Sequence, residues 1–383
     1  MRVNQLSWSE GAGWTAVPAE RRNAADLVFL FGGRSALACG ARYHELRAMF
    51  PDAHILGCST GGQICNDDVT DDEIAAAAIG FDATRLRLAC EPAPSPERSH
   101  ACGDAIGRAL AASDLAGIFV LSDGLNVNGS ELVAGITGAV GDRVSVTGGL
   151  AGDGAEFRET LVGGDFAPRK QMVAAVGFYG AAVRIGHGSA GGWDEFGPRR
   201  QITRSHGNVL FELDGGPALD LYERYLGDDA KGLPGSALLF PLRIFNCERP
   251  DHDIVRTVLA VDHEARSMTF AGDVPEGWMA QLMRGNFDRL AGGAAKAARQ
   301  AADGLGQDRC GDQLAILVSC IGRRLLMGQH TLEELEAAGA EIGSQVPRLG
   351  FYSYGEISPH RASGVCELHN QTMTVTTIAE AAG

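Results

Sequence analysis

The chain has 383 residues, a formal net charge of −15 at pH 7, 45% apolar and 21% charged residues. That length suits two domains with substantial cores, while the acidity and the lack of a Lys/Arg cluster exclude nucleic acid as a partner, since phosphate affinity comes from clustered cations. The 52 glycines fall at the ends of apolar runs rather than in a G-X-Y period, which excludes collagen and implies many tight turns.

The opening segment MRVNQLSWSEGAGW lacks the apolar core of a signal peptide. No apolar run approaches the roughly 20 residues a membrane-spanning helix needs, so the expected location is the cytoplasm, with no membrane partner. Nine cysteines without a CxxC pair indicate reduced thiols, and they exclude a zinc knuckle and covalent CxxCH haem attachment.

From Asp26 the pattern predicts a strand (LVFLFGG), a helix over 35–49, a strand (HILG) and the turn CSTGG. Asp67, Asp68, Asp71, Asp72 and Glu73 form a solvated acidic loop. Two apolar runs follow, IAAAAIGF and LRLAC, then a helix over 98–112. The order then returns: strand GIFVLSDG, helix 130–140, strand and glycine turn VSVTGGLAGD, strands MVAAVGFYG and VRIGHGS. Ile118 lies ninety places after Val28, and Thr147 ninety after Gly57, as an internal repeat of a β-α-β unit followed by antiparallel strands requires.

AGGWDEFGPRRQITRSHG reads as a linker. Beyond it VLFELDG predicts a strand, PALDLYERYLG a helix opened by proline, and SALLFPLRIF, IVRTVLAV and SMTFAGDV antiparallel strands. GNFDRLAGGAAKAARQAADG predicts a helix. The unit then appears a third time, as strand LAILVSCIGRR, helix TLEELEAAGAEIG, strand GFYSYGEI and strand TMTVTTI. The fold class is therefore α/β (α+β), with two domains over 1–200 and 201–383 built from repeated units, and mixed sheets packed with helices.

CSTGG, GGLAGD and SYGEI occupy corresponding places after the second strand of each unit, where side chains and amides face outward from a sheet and ligands can approach. The third carries side chains where the others carry glycine. Ser353, Tyr354, Glu356, His369, Asn370, Gln371 and Thr372 are more polarity than a strand pair needs, and they either face water as a hairpin end or line a pocket. Gly149 and Asp153 belong to a turn that offers backbone amides to an anion, without matching GxGxxG or a Walker loop. Arg323 suits a bidentate clamp on a carboxylate, and of Arg323 and its neighbour Arg324 one is expected to face solvent. Glu356 suits an ammonium group, so the two fit an amino acid or else bridge to each other. His369, His187 and His206 stand beside pocket-like sequence as candidate axial ligands of a noncovalent haem. Cys366 and His369 share the spacing of metal ligands, but in an extended strand they point to opposite faces. Cys58, Cys320 or Cys366 would serve a thiol-dependent hydrolase, although no base is tied to any of them in sequence.

GCSTGG, GGLAGD, GHGSAGGW, SCIGRR, FYSYGEI and LHNQTMTV, in that order over about 26–377, resemble the recurring signatures of the FIST family. The resemblance implies an N-terminal FIST domain, a C-terminal ligand-binding domain and a sensory role in signal transduction. It further implies similarity to free-standing NosP-type haemoproteins, which bind nitric oxide through haem b and regulate a separate histidine kinase or cyclic-di-GMP enzyme; sensing of a free amino acid without haem is the alternative. Of the candidate haem ligands only His369 lies inside a matching motif, LHNQT. The chain shows no kinase, cyclase or helix-turn-helix output segment, so a non-enzymatic sensor passing its signal to another protein is expected.

Overall fold

The computed structural model describes residues 1–15, 25–306, 310–360 and 364–381. It is mixed α/β in a two-domain layout, with mixed sheets packed with helices, and one unit is run three times. The first unit comprises β1 (Arg2–Ser9), β2 (Leu27–Gly32), α1 (Arg34–Ala38), α2 (Ala41–Met49), β3 (His54–Ser59), β4 (Gln63–Cys65) and β5 (Ile74–Gly80). The second comprises β6 (Arg85–Pro92), α3 (Ser99–Leu110), β7 (Leu115–Ser122), α4 (Gly129–Val140), β8 (Ser145–Leu150), β9 (Val162–Gly164) and β10 (Met172–Tyr179). The third comprises β11 (Val183–Ala190), α5 (Phe287–Gly304), β12 (Cys310–Cys320), α6 (Ile321–Met327), α7 (Thr331–Ile342), β13 (Arg348–Ser353), β14 (Gly355–Pro359), β15 (Cys366–His369) and β16 (Met373–Glu380).

Each unit makes the same sheet. A central parallel pair (β2/β3, β7/β8, β12/β13) is extended by an antiparallel strand (β5, β10, β16), and then by the unit's first strand (β1, β6, β11). LRLAC and VRIGHGS therefore open the second and third units rather than closing the first and second. The short arm strand of each unit crosses to a neighbour: β4 joins β13, β9 joins β3 and β14 joins β8. This cyclic exchange ties the three sheets into one body.

The central strands are apolar on both faces because both are covered. Phe29 and Phe31 of β2 point into a core shared by all three sheets with Phe119, Val318 and Phe351, while Val28 and Leu30 point outward to Tyr43, Leu46 and Phe50. Phe29 meets Phe119 edge-on at 5.1 Å and Phe31 meets Phe351 at 4.6 Å between ring centroids. Burying each such ring contributes about 1.5–3 kcal/mol. The outer faces of the second and third sheets carry the helix pairs α3/α4 and α5/α7.

The three turns foreseen as counterparts meet. The amide of Gly61 donates to the carbonyl of Tyr352, that of Gly152 to Ser59, and that of Tyr354 to Leu150, closing a ring of backbone hydrogen bonds from unit to unit. A Cβ on Gly152 would stand 3.1 Å from the Gly61 nitrogen, so a side chain there would crowd the meeting of the turns.

Two further expectations are corrected. The helix foreseen over 35–49 is two helices, because Gly40 adopts φ 72° and breaks it. The foreseen linker is instead a 14-residue strand, Trp193–His206, which pairs with Met279–Gly285 at one end and Val209–Leu213 at the other, and residue 200 lies inside it. Its polar sequence hides a strand that is bulged between Phe196 and Arg200, around Gly197-Pro198. This strand opens an insertion over 193–285, between β11 and α5, with an antiparallel sheet, the helix Ala218–Leu226 after Pro217 and a core of its own that includes Ile202, Leu210, Tyr222, Ile244 and Phe270.

Candidate functional site

The polar cluster that stood out in the sequence is the joint between the insertion and the three-unit body. Asn370 Oδ1 accepts from the Thr257 amide at 3.4 Å and its Nδ2 donates to the Tyr354 carbonyl at 3.4 Å. Gln371, at φ 62°, receives the Trp193 indole N–H on its carbonyl at 2.8 Å and donates through Nε2 to Leu238 O at 2.9 Å. All of Ser353, Tyr354, Glu356, His369, Asn370, Gln371 and Thr372 are buried.

Arg323 and Glu356 do not face each other as a ligand clamp. The Arg323 guanidinium is 0% exposed and pairs with Glu334, also 0% exposed, at 2.7 Å. Its remaining donors reach Gly191 O at 2.7 Å and Leu290 O at 2.8 Å, so Arg323 fixes the glycine turn after β11 to the start of α5. Sequence pattern cannot reveal this partner, because α7 delivers it from a separate helix. Arg324 instead reaches Asp71 of the acidic loop and Gly61 O. Glu356 Oε1 accepts from Ser353 Oγ at 2.7 Å and Oε2 from the Thr372 amide and hydroxyl at 3.1 and 2.9 Å. Burial pushes its carboxyl up to about 8, against the opposing pull of those bonds and of the Arg323 charge.

Gly149 pairs with Glu356 across β8/β14, and a Cβ there would meet Val318 at 2.7 Å, so its backbone is inside the core. Asp153 gathers the loop after β8: its carboxylate accepts from the amides of Phe157, Arg158 and Glu159 at 3.0, 2.9 and 2.8 Å and from the Tyr354 hydroxyl. The Tyr354 ring stacks on Phe157 at 4.6 Å. His187 is half-buried on β11, where burial lowers its pKa, and its neighbours Gly186 and Gly188 are the ones facing α5. His206 ends the long strand of the insertion and is exposed. Burial pushes the thiols of Cys58, Cys320 and Cys366 up, the reverse of what a thiolate nucleophile needs.

A polar cavity of about 280 Å³ lies at the joint. The body supplies Ser189 to Gly192, Lys296, His360, His369 and Thr372, and the insertion supplies Trp193, Asp253 to Val255 and Met283. His369 Nε2 lies 3.0 Å from the Ser358 carbonyl oxygen, so that nitrogen is engaged with the protein rather than open to a metal. The His360 ring stacks on His369 at 6.0 Å and 11°. Of the chain's three lysines, Lys170 pairs with Glu159 and Lys231 with Asp228, while Lys296 has no carboxylate within 4 Å among the described residues. Asp253 accepts from Arg243 Nε at 2.7 Å through Oδ2.

A haem would need a flat apolar slot with a nitrogen aimed at iron. The cavity is polar and stands at the low end of the ligand-pocket range, and His369 commits Nε2 elsewhere, while His187 does not line it. The residues present do not fit that group as they stand. Among the described residues no group of three or more His, Cys, Asp or Glu is placed to hold a metal ion.

Thr372 and His369 were legible as cavity residues; Trp193, Asp253, Lys296 and His360 were not. The rarity of lysine was the available signal for Lys296. Asp253 and Trp193 carry none, since the insertion alone brings them to the joint.

The fold is that of a mixed α/β protein with a cavity between a repeated body and an inserted sheet. The chain belongs to the FIST family: the FIST N domain matches residues 26–216 and the FIST C domain residues 218–359. FIST domains are signalling sensor domains, and a general sensor role follows for this chain. Among proteins of curated function none matches it significantly. A crystal structure of cyanuric acid hydrolase from A. caulinodans aligns over 100% of this chain and 99% of that one at 9% identity, with a TM-score of 0.39, too loose to argue from. Among the described residues no helix is long and apolar enough to cross a membrane.

Proposed function

We propose that the chain senses a small zwitterionic metabolite, of the amino-acid class, in the polar cavity at the joint. The observation that carries this reading is the divided wall: Lys296, His369 and Thr372 come from the body, Trp193, Asp253 and Met283 from the insertion. A ligand that touches both sides favours one placement of the insertion over others, which is the differential binding a switch requires. Lys296 takes the carboxylate and the Asp253 oxygen not engaged by Arg243 takes the ammonium. Arg323 and Glu356 act behind the wall, holding Gly191 and Thr372. The signal passes to a separate protein, of which a histidine kinase or a cyclic-di-GMP enzyme is the expected kind.

A thermal-shift screen against the amino acids tests this. A ligand at about 100 times its Kd stabilises by roughly 2.7 kcal/mol, and the shift should vanish in Lys296→Ala. No shift across the set defeats the reading. Hemin titration tests the nitric-oxide version: a Soret band lost in His369→Ala would favour haem b over a metabolite.

A further inference from the structure

A second cavity, of about 320 Å³, lies across the strand Arg249–Arg256 from the first, and Ile254 lines both. Its walls are mostly apolar, with Ile244, Ile254, Pro275 and Trp278 from the insertion and Val365 and Leu368 from the body. Arg256 also lines it, at 3% exposure. Three of its donors are committed: Nε to Asp273 O at 2.8 Å, Nη1 to Leu368 O at 2.9 Å and Nη2 to Ser130 Oγ at 3.2 Å. A guanidinium has five N–H groups, so each terminal nitrogen keeps one.

Every one of those three acceptors is neutral, and among the described residues no carboxylate lies within 4 Å of the Arg256 nitrogens. Asp273 and Glu367 line the same cavity at longer range, and the Asp273 carboxylate is turned to Asn128 Nδ2 at 2.6 Å. Burial lowers the Arg256 pKa to about 10 in spite of those two charges. A buried cation held by neutral acceptors is costly, and a directly bonded anion offsets the cost. The two flanking carboxylates disfavour a second negative charge on the ligand.

We propose that this cavity binds a small apolar monocarboxylate, with the carboxylate on the free N–H groups of Arg256 and the apolar body against Trp278, Ile244 and Pro275. A planar aryl acid meets both requirements, since it stacks on the indole and offers two oxygens to the guanidinium. The site is distinct from the polar cavity, and Lys296 takes no part in it.

The test is titration of the full chain with phenylacetate and with phenylacetamide, which has nearly the same shape without the charge, read by calorimetry and by Trp278 fluorescence against Trp278→Phe. Phenylacetate should bind at least tenfold more tightly than the amide, and Arg256→Gln should remove that preference. Because Arg256→Gln also removes bonds that hold the fold, Ala134→Trp provides a second variant. Ala134 is exposed on α4 at the cavity mouth, and tryptophan there should block phenylacetate without touching Arg256. Lys296→Ala should leave phenylacetate binding unchanged. Equal binding of acid and amide, unaltered binding in Ala134→Trp, or no binding of either probe would each overturn the proposal.

Discussion

Arg323 on α6 and Glu334 on α7 form an ion pair that no solvent reaches, with Arg323 Nη2 and Nε 2.7 and 3.0 Å from Glu334 Oε2. The other carboxylate oxygen accepts from Ser319 Oγ at 3.0 Å and Tyr352 OH at 2.8 Å. Ser319 of β12, Tyr352 of β13, the Gly191 carbonyl and the Leu290 carbonyl of α5 thus converge on one buried pair. Its position explains how the polar cavity's glycine wall is held without any ligand-directed charge behind it.

Removing one member leaves the other charge buried and unpaired. Arg323→Met and Glu334→Met should each destabilise by about 3–5 kcal/mol, whereas the double variant should lose clearly less than the sum. Urea unfolding of the four proteins checks this. Additive losses would mean that the pair is not coupled as its geometry requires.

Glu356 sets a pH dependence with a definite sign. Its folded pKa, about 8, lies above the ordinary carboxylate value of 4.5, so the folded state holds a proton the unfolded chain has released. Its contribution is fully present below pH 4.5 and is lost as pH rises through 8, at up to about 1.4 kcal/mol per pH unit from this group. Glu356→Gln imitates the protonated acid, with its amide donating to Ser353 Oγ and its carbonyl accepting from Thr372. Urea midpoints at pH 5, 6, 7 and 8 should fall more steeply for the native chain than for this variant; parallel curves would contradict the assignment.

The repeat was legible because two-sided burial writes continuous apolar runs such as LVFLFG and GIFVLS, and glycine turns punctuate them at matching places. Ownership of the leading strands was not, since β6 and β11 follow directly on the unit before and only hydrogen bonding across the sheet assigns them. The over-polar stretch from Ser353 to Thr372 borders the polar cavity through His369 and Thr372. Its residues, however, fasten the insertion, and the charges facing the cavity come from Asp253 and Lys296, which sit in segments whose local pattern is that of an ordinary strand and an ordinary helix. Side-chain role there depends on a junction between segments far apart in sequence, and periodicity carries no information about it.

Tyr354 tests the junction between the second and third units. Its hydroxyl donates to Asp153 and lies 3.0 Å from Gly154 O, while its ring stacks on Phe157. Tyr354→Phe keeps the stack and leaves a buried carboxylate short of one donor, so it should cost about 1–3 kcal/mol. Hydrogen exchange should rise over 154–159, the loop whose amides Asp153 holds, before it rises elsewhere. A loss spread evenly over the molecule would contradict the local role.

Thiol reactivity separates sensing from covalent catalysis. Cys39 and Cys247 are exposed, whereas Cys58, Cys320 and Cys366 are buried, and burial raises the pKa of each of these three. Cys366 Sγ further accepts from the Val146 amide at 3.2 Å, a structural bond on the face of β15 opposite His369. At neutral pH a chromogenic disulfide should label Cys39 and Cys247 at rates near a model thiol's, and the three buried thiols should react only as fast as the chain opens. Cys39→Ser/Cys247→Ser should therefore remove the fast labelling of those two sites, while the slow reaction of Cys58, Cys320 and Cys366 stays sensitive to urea. Fast labelling of Cys58, Cys320 or Cys366 in the folded protein would instead mark an activated nucleophile and revive the hydrolase reading.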